Sequence, residues 1–182
     1  VSDSSPNSII YGPEMVNHVV TIDNSGSMDS PSGGITKLEA AQAAAKLYID
    51  CVPDGQRLGV ASFSGDGVEC NEDAVDQGGG LNIVDDTVRA ALRTTIESIG
   101  PENMTSIGDG LWLSQDLLDS APLTPGVLDV NRIVLLSDGM ENEDRRWDST
   151  ACIGGSTVKD RILASGSQVN AIAFGPNADQ GL

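Results

Sequence analysis

The sequence predicts an α/β fold: doubly wound, with a mostly parallel central sheet flanked by helices on both faces. Three observations predict it. Short runs rich in Val, Ile and Leu alternate with longer runs that carry helix caps. Aromatic residues make up only 3% of the 182 residues, so the core must be built from Val, Ile, Leu and Ala, as in parallel sheets covered on both faces. The strand-like runs end in loops of Ser, Gly and Asp, the edge at which open sheets of this class bind ligands. Alternation of strand and helix implies right-handed crossovers between parallel strands.

Each element can be justified in order. Residues 1–15 are polar, with Pro6, Gly12 and Pro13, and read as a linker or lead-in to a single domain over residues 16–182. They hold neither a basic n-region nor an apolar h-region, so they do not read as a signal peptide. Residues 16–22 form a buried strand ending at Asp23, followed by a Ser/Gly loop to Gly34. Thr36 and Glu39 have capping-box spacing and open a helix to about Val52, where Pro53, Asp54 and Gly55 stop it. Residues 57–64 are a second strand, and an acidic loop over 65–80 separates it from a short strand at 81–84. Asp85 or Asp86 caps a helix to Ile99, closed by Gly100-Pro101. Ser106 and Asp109 repeat the cap pattern and open a helix to about Ser120. Residues 132–137 are a buried strand ending at Asp138, and residues 140–155 a polar loop. A helix over 156–164, ended by Gly166, precedes a last strand at 169–174.

Charge narrows the function. Acidic residues number 27 and basic residues 10, a net charge of −17. Nucleic acid is excluded as a natural partner, because phosphate binding needs a basic face. No run approaches ~20 consecutive apolar residues, so direct membrane insertion is not expected. The charge serves solubility, and a strong negative potential also concentrates cations. Of the three cysteines, Cys51 ends a helical run and reads as a small buried hydrophobe. Cys70 and Cys152 lie in polar loops, where they could form a bridge or stand free; a bridge would imply an oxidising compartment.

Three loops carry the chemistry. Asp23, Ser25 and Ser27 alternate directly after a strand, with Gly26 free to bend sharply, so three oxygens can turn towards one point. Thr105 stands just before a helix N-terminus. Ser137-Asp138-Gly139 follows another apolar strand. Together Asp23, Ser25, Ser27, Thr105 and Asp138 offer two carboxylates and three hydroxyls. An oxygen-only set suits a hard divalent cation, Mg²⁺ first, with Mn²⁺ or Ca²⁺ as alternatives, rather than zinc or copper. Taken alone, the Asp23 loop could be ordinary turn chemistry. Thr105 could be a mere cap, with Ser106 the ligand one residue on. The preferred assignment gives Thr105 the ligand role and Ser106 the cap. Asn24, Asp109 and Glu141 lie beside the set as supporting or rim residues.

Asp23-Asn24-Ser25-Gly26-Ser27 resembles the DxSxS signature of the von Willebrand factor A and integrin I-domain family. Thr105 with Ile107-Gly108-Asp109-Gly110-Leu111 is similar to that family's threonine loop, and Leu135-Leu136-Ser137-Asp138-Gly139 to its second aspartate motif. The likeness spans residues 16 to 176 and, in finer detail, leans to calcium-activated chloride channel regulator-type and bacterial secreted A domains. It implies a Rossmann-like sheet and a metal-ion-dependent adhesion site. Ser25 and Ser27 would bind the ion directly, Thr105 directly in a high-affinity state, and Asp23 and Asp138 mainly through water. The open position would accept an Asp or Glu of a protein partner. The resemblance also implies an extracellular or cell-surface setting. Family members usually carry one more helix and strand after the position of Phe174, so the fold reads as truncated at its C-terminus.

The expected function is therefore a protein-binding module, monomeric as a domain and not an enzyme. The alternatives are a scaffold with a defunct site and a metal-dependent hydrolase. Against the hydrolase, the single histidine, His18, sits near a strand start and reads as structural. The Asn103-Met104-Thr105 sequon would crowd the metal site and is expected to be unused. Residues 29–35, 66–80 and 140–155 are expected to form the rim of the binding face.

Overall fold

A computed structural model describes residues 14–68, 70–102, 104–139, 142, 147–150, 152 and 155–175. Four parallel strands form the heart of one sheet: β1 (Glu14–Asp23), β4 (Arg57–Phe63), β7 (Leu128–Ser137) and β8 (Gln168–Ala173). Their order is β4-β1-β7-β8, so β1 lies between β4 and β7. Two short strands, β5 (Ala74–Asp76) and β6 (Asn82–Ile83), pair antiparallel along the outer edge of β4. The sheet is thus mostly parallel. The chain leaves β1 towards β4 and later returns to the other side of β1 as β7. That reversal opens the crevice beyond the carboxyl ends of β1 and β7, where such sheets take ligands.

Alternation of side chains divides the core into two layers. Val20, Ile22, Leu58, Val60, Val134 and Leu136 face α1 (Lys37–Cys51) and α2 (Asp86–Ser98). Val19, Ala61, Phe63, Ile133 and Leu135 face α3 (Ile107–Asp119) and α4 (Val158–Ser165). Helices therefore cover both faces. Among the described residues, no helix is long and apolar enough to cross a membrane.

Local chemistry fixes the helix starts. Thr36 Oγ1 accepts from Glu39 N–H at 3.0 Å, and Thr36 N–H donates to Glu39 Oε2 at 2.7 Å, completing the capping box. Asp85 caps α2 through Val88 N–H at 2.7 Å. Thr157 caps α4, in a box with Asp160. Gly166 ends α4 at φ +71°, in the left-handed region glycine favours.

The structure departs from the sequence expectations at several points. β1 takes in Glu14 and Met15, which the sequence suggests as lead-in, because both pair with the early part of β7. β7 likewise begins at Leu128, four positions before the expected strand, with polar residues in its first turn of pairing. The loop after Asp23 holds a 3-10 turn, Gly26–Asp29, and a two-stranded ribbon, β2 (Pro31–Ser32) with β3 (Ile35–Thr36). Cys51 is exposed, not buried. In α1 the buried positions are Leu38, Ala41, Ala45 and Ile49, and Val52 continues that stripe, so Cys51 is rotated off the core. The last helix and strand of the family pattern would fall beyond Phe174; residues 176–182 lie outside the described residues.

α3 packs unusually close to the sheet. A Cβ on Gly110 would lie 2.8 Å from Phe63 Cγ and 3.1 Å from Thr21 Cγ2. Thr21 Oγ1 and Ser114 Oγ, 2.6 Å apart, join helix to strand beside it. Gly110→Ala must push α3 away from β1 and β4. It should destabilise by about 2 kcal/mol in urea unfolding, and a loss below ~0.5 kcal/mol would refute the close-packing account.

His18 is 5% exposed, with Nδ1 2.7 Å from the Tyr48 hydroxyl. Burial, helped by the charge of Arg132, pulls its pKa from 6.5 down to about 4. In the unfolded chain the imidazole takes up a proton below about 6.5, whereas the fold keeps it neutral to about 4. The stabilising contribution is therefore complete above ~6.5 and is lost as pH falls towards 4. His18→Gln should flatten the decline in stability over that window; an unchanged slope in urea titrations would assign the decline to other groups.

Candidate metal-binding site

Ile22 stands opposite Leu136 in the sheet, so Asp23 and Asp138 emerge together at its carboxyl edge. Both are buried. A continuous set of hydrogen bonds links them. Ser25 N–H donates to Asp23 Oδ1 at 2.9 Å, and Ser137 Oγ donates to Asp23 Oδ2 at 2.5 Å. Ser25 Oγ and Ser27 Oγ are 3.1 Å apart, and Ser27 Oγ donates to Asp138 Oδ1 at 2.8 Å. Lys37 Nζ donates to Asp138 Oδ2. Thr105 approaches the same patch. A Cβ on Gly139 would stand 3.6 Å from Thr105 Oγ1 and 3.8 Å from Ser27 Oγ, so this glycine leaves open the space between them. Asp23, Ser25, Ser27, Thr105 and Asp138 are thus gathered from three separate segments.

Electrostatics follow from burial. Loss of water pushes the Asp23 carboxyl above its ordinary range; the hydrogen bonds from Ser137 and Ser25 pull it down, and the charge of Asp138 pushes it up again. The donors are oxygens only. Among the described residues, no group of three or more His, Cys, Asp or Glu is placed to hold a metal, at this patch or elsewhere. Two buried carboxylates and three converging hydroxyls fit a hard divalent ion better than a soft one.

Neighbouring residues take more definite roles than the sequence offers. Asn24 is a latch: its N–H donates to Phe63 O at 2.9 Å, its Nδ2 to Gly100 O at 2.9 Å, and its carbonyl accepts from Glu102 N–H at 2.6 Å. It ties the first loop to the segment that leads into Thr105. Ser106 occupies the cap position of α3, yet its hydroxyl caps no backbone N–H. It donates instead to Asp109 Oδ2. Asp109 is buried, and a buried carboxylate recruits the nearest hydroxyl donor. Glu141 lies outside the described residues, as does Asn103 of the sequon.

Four further residues escape the sequence reading. Ser137 lies inside a quoted motif, but only the register of β7 aims its hydroxyl at Asp23. Asn142 grips Thr105 from both sides: Thr105 N–H donates to Asn142 Oδ1 at 3.0 Å, and Asn142 N–H donates to Thr105 O at 3.1 Å. Glu102 accepts from Ser64 Oγ at 2.6 Å beneath the same segment. Lys37 carried one usable signal: a cation in the first turn of a helix opposes the helix dipole and needs a counter-charge.

Cys70 and Cys152 form a disulfide, with Cα atoms 5.2 Å apart. It ties the loop between β4 and β5 to the loop between β7 and α4. Removing the Ser137 hydroxyl would leave a buried Asp23 oxygen without its donor. Ser137→Ala should cost about 1–2 kcal/mol in chemical denaturation, and an unchanged midpoint would show that this hydrogen bond carries no net stability.

Known proteins share this arrangement of elements. A UPF0353 protein of Mycolicibacterium paratuberculosis is 29% identical over 160 residues, covering 86% of this chain and 44% of the relative. The chain therefore spans less than half the length of that relative. A solved von Willebrand factor type A structure from Catenulispora acidiphila is 26% identical, with a TM-score of 0.62, covering 87% of this chain and 32% of the other. The pilus adhesin SpaC from Lactobacillus rhamnosus GG is 18% identical with a TM-score of 0.66, covering 93% of this chain and 26% of the adhesin, and shares the fold. The family model of the von Willebrand factor type A domain matches residues 18–141, which include all five of the converging residues, and the chain belongs to that family.

Proposed function

We propose that this domain is a metal-dependent protein-binding module that captures a partner's carboxylate through one bound divalent cation. The observation that carries the reading is the convergence of buried Asp23, Ser25, Thr105 and Asp138 with exposed Ser27 on one patch at the sheet's carboxyl edge. The hydroxyls of Ser25, Ser27 and Thr105 would hold the ion, with Asp23 and Asp138 neutralising it. Mg²⁺ suits this set best, with Mn²⁺ or Ca²⁺ as alternatives. When bound, the ion supplies Lewis-acid attraction for an Asp or Glu side chain of the partner. The chain's own residues do the rest. Ser137 and Ser25 N–H orient Asp23, Asn142 and Asn24 hold the segment bearing Thr105, and Gly139 keeps the approach clear. The disulfide supports an extracellular or cell-surface setting, since such bonds persist in oxidising compartments.

One observation favours a second reading, a scaffold without metal. Asp23, Ser25, Ser27 and Asp138 are already linked by hydrogen bonds, and Lys37 meets Asp138, so that part of the patch is self-consistent as it stands. A hydrolase has less behind it. His18 lies five residues before Asp23 on β1, roughly 16 Å away at ~3.3 Å per residue, and is engaged with Tyr48.

Calorimetric titration of chelator-stripped protein with Mg²⁺ and Mn²⁺ separates these readings. One-site binding in the natural protein, weakened at least ~10-fold in Asp23→Ala and Ser27→Ala, supports the metal-dependent module. No binding to the natural protein would favour the scaffold.

A further inference from the structure

We propose that Lys37 is a tethered cation built into this site: its ammonium holds Asp138 when no divalent ion is present and competes with that ion, so that Lys37 lowers and thereby sets the metal affinity. This role rests on the metal-binding reading above.

The Asp138 side chain is 1% exposed, and a buried carboxylate left without donors or a counter-charge costs stability. Both of its oxygens are engaged, Oδ1 by Ser27 Oγ and Oδ2 by Lys37 Nζ. Lys37 is the one basic side chain paired with it among the described residues. An ammonium is a compact, strongly hydrated point charge with donors in three directions, the nearest side-chain equivalent of a hard cation.

The lysine is held for this task from three directions. Its backbone N–H donates to Ser30 O at 3.1 Å, which fastens the start of α1 to the turn that carries Ser27. Its stem runs past Gly175, where a Cβ would meet Lys37 Cε at 3.1 Å and Nζ at 3.6 Å. Its ammonium ends on Asp138. The arrangement has costs. A cation at the first helical position of α1 opposes the helix dipole, and a fixed lysine side chain loses rotamer freedom. A residue that only shielded the helix start from solvent would not need to reach a buried carboxylate. A divalent ion drawn to the same carboxylate meets the positive charge already there, and like charges close together in a half-buried site repel strongly.

The test compares the natural protein with Lys37→Met and Lys37→Gln, all stripped with chelator. Mn²⁺ affinity is measured by calorimetry, and melting temperature is measured with and without Mn²⁺. Both variants should bind Mn²⁺ about tenfold more tightly than the natural protein, the scale expected for removal of one unit charge near the ion. Both should melt lower without metal and gain more from it. Lys37→Gln keeps a polar side chain on the stem's path, so it serves where Lys37→Met fails to fold. Binding in all proteins with equal or weaker affinity in the variants overturns the competition and leaves the metal site standing. Binding in none of them removes the metal reading and this role together.

Discussion

The two buried carboxylates of Asp23 and Asp138 are the constraint on which the rest of this structure depends. Asp23 ends β1 and Asp138 directly follows β7, where the last residues of both strands are buried, so neither carboxylate stands in bulk water. A buried carboxylate costs stability unless donors or counter-charges meet it. The chain supplies them from every side: Ser25 and Ser137 for Asp23, Ser27 and Lys37 for Asp138. What the site can do follows from how that charge is met. Hydroxyls and a single ammonium are donors that a divalent ion could replace or share, whereas a guanidinium fork would close the patch more firmly.

The sheet's topology makes this concentration of charge possible. Because β1 sits between β4 and β7, the chain reverses direction across it, and the loops after β1 and β7 share one crevice. The third contributor, Thr105, comes from no strand. It is delivered by the segment before α3, and the height of that helix over the sheet is set by the bare Cα of Gly110 against Phe63. Asn24 and Asn142 then pin the segment by hydrogen bonds to its backbone. Backbone-directed amides hold a loop with little dependence on the side chains around it, which leaves the rim free to vary in sequence.

The Cys70–Cys152 bridge joins two loops far apart in sequence, 82 residues, and so limits how far they can part. The whole chain carries a net charge of −17, and the site proposed within it would take a cation. The same field that concentrates metal ions discourages acidic partners at long range, so recognition of a carboxylate would depend on short-range contact rather than steering.

Much of the fold and the site was legible in the sequence. The second halves of the strands leading to Asp23 and Asp138 are largely apolar runs, and Thr36 with Glu39 marks the start of α1 by spacing alone. Asp23, Ser25, Ser27, Thr105 and Asp138 stand at strand ends or a helix start, positions that local pattern reveals. Less legible were the polar first halves of β1 and β7, which become strand only by pairing with each other. The exposure of Cys51 depends on the rotation of α1 about its axis, which a short apolar run does not fix. Long-range partners lay further out of reach. Lys37 and Asp138 are separated by 101 residues, Thr105 and Asn142 by 37, and no local rule joins them. The sequence by itself determined which groups end the strands, because periodicity and capping act within a few residues. Only the tertiary structure decided which donor meets which carboxylate, because that choice is made by burial and strand register across the whole chain.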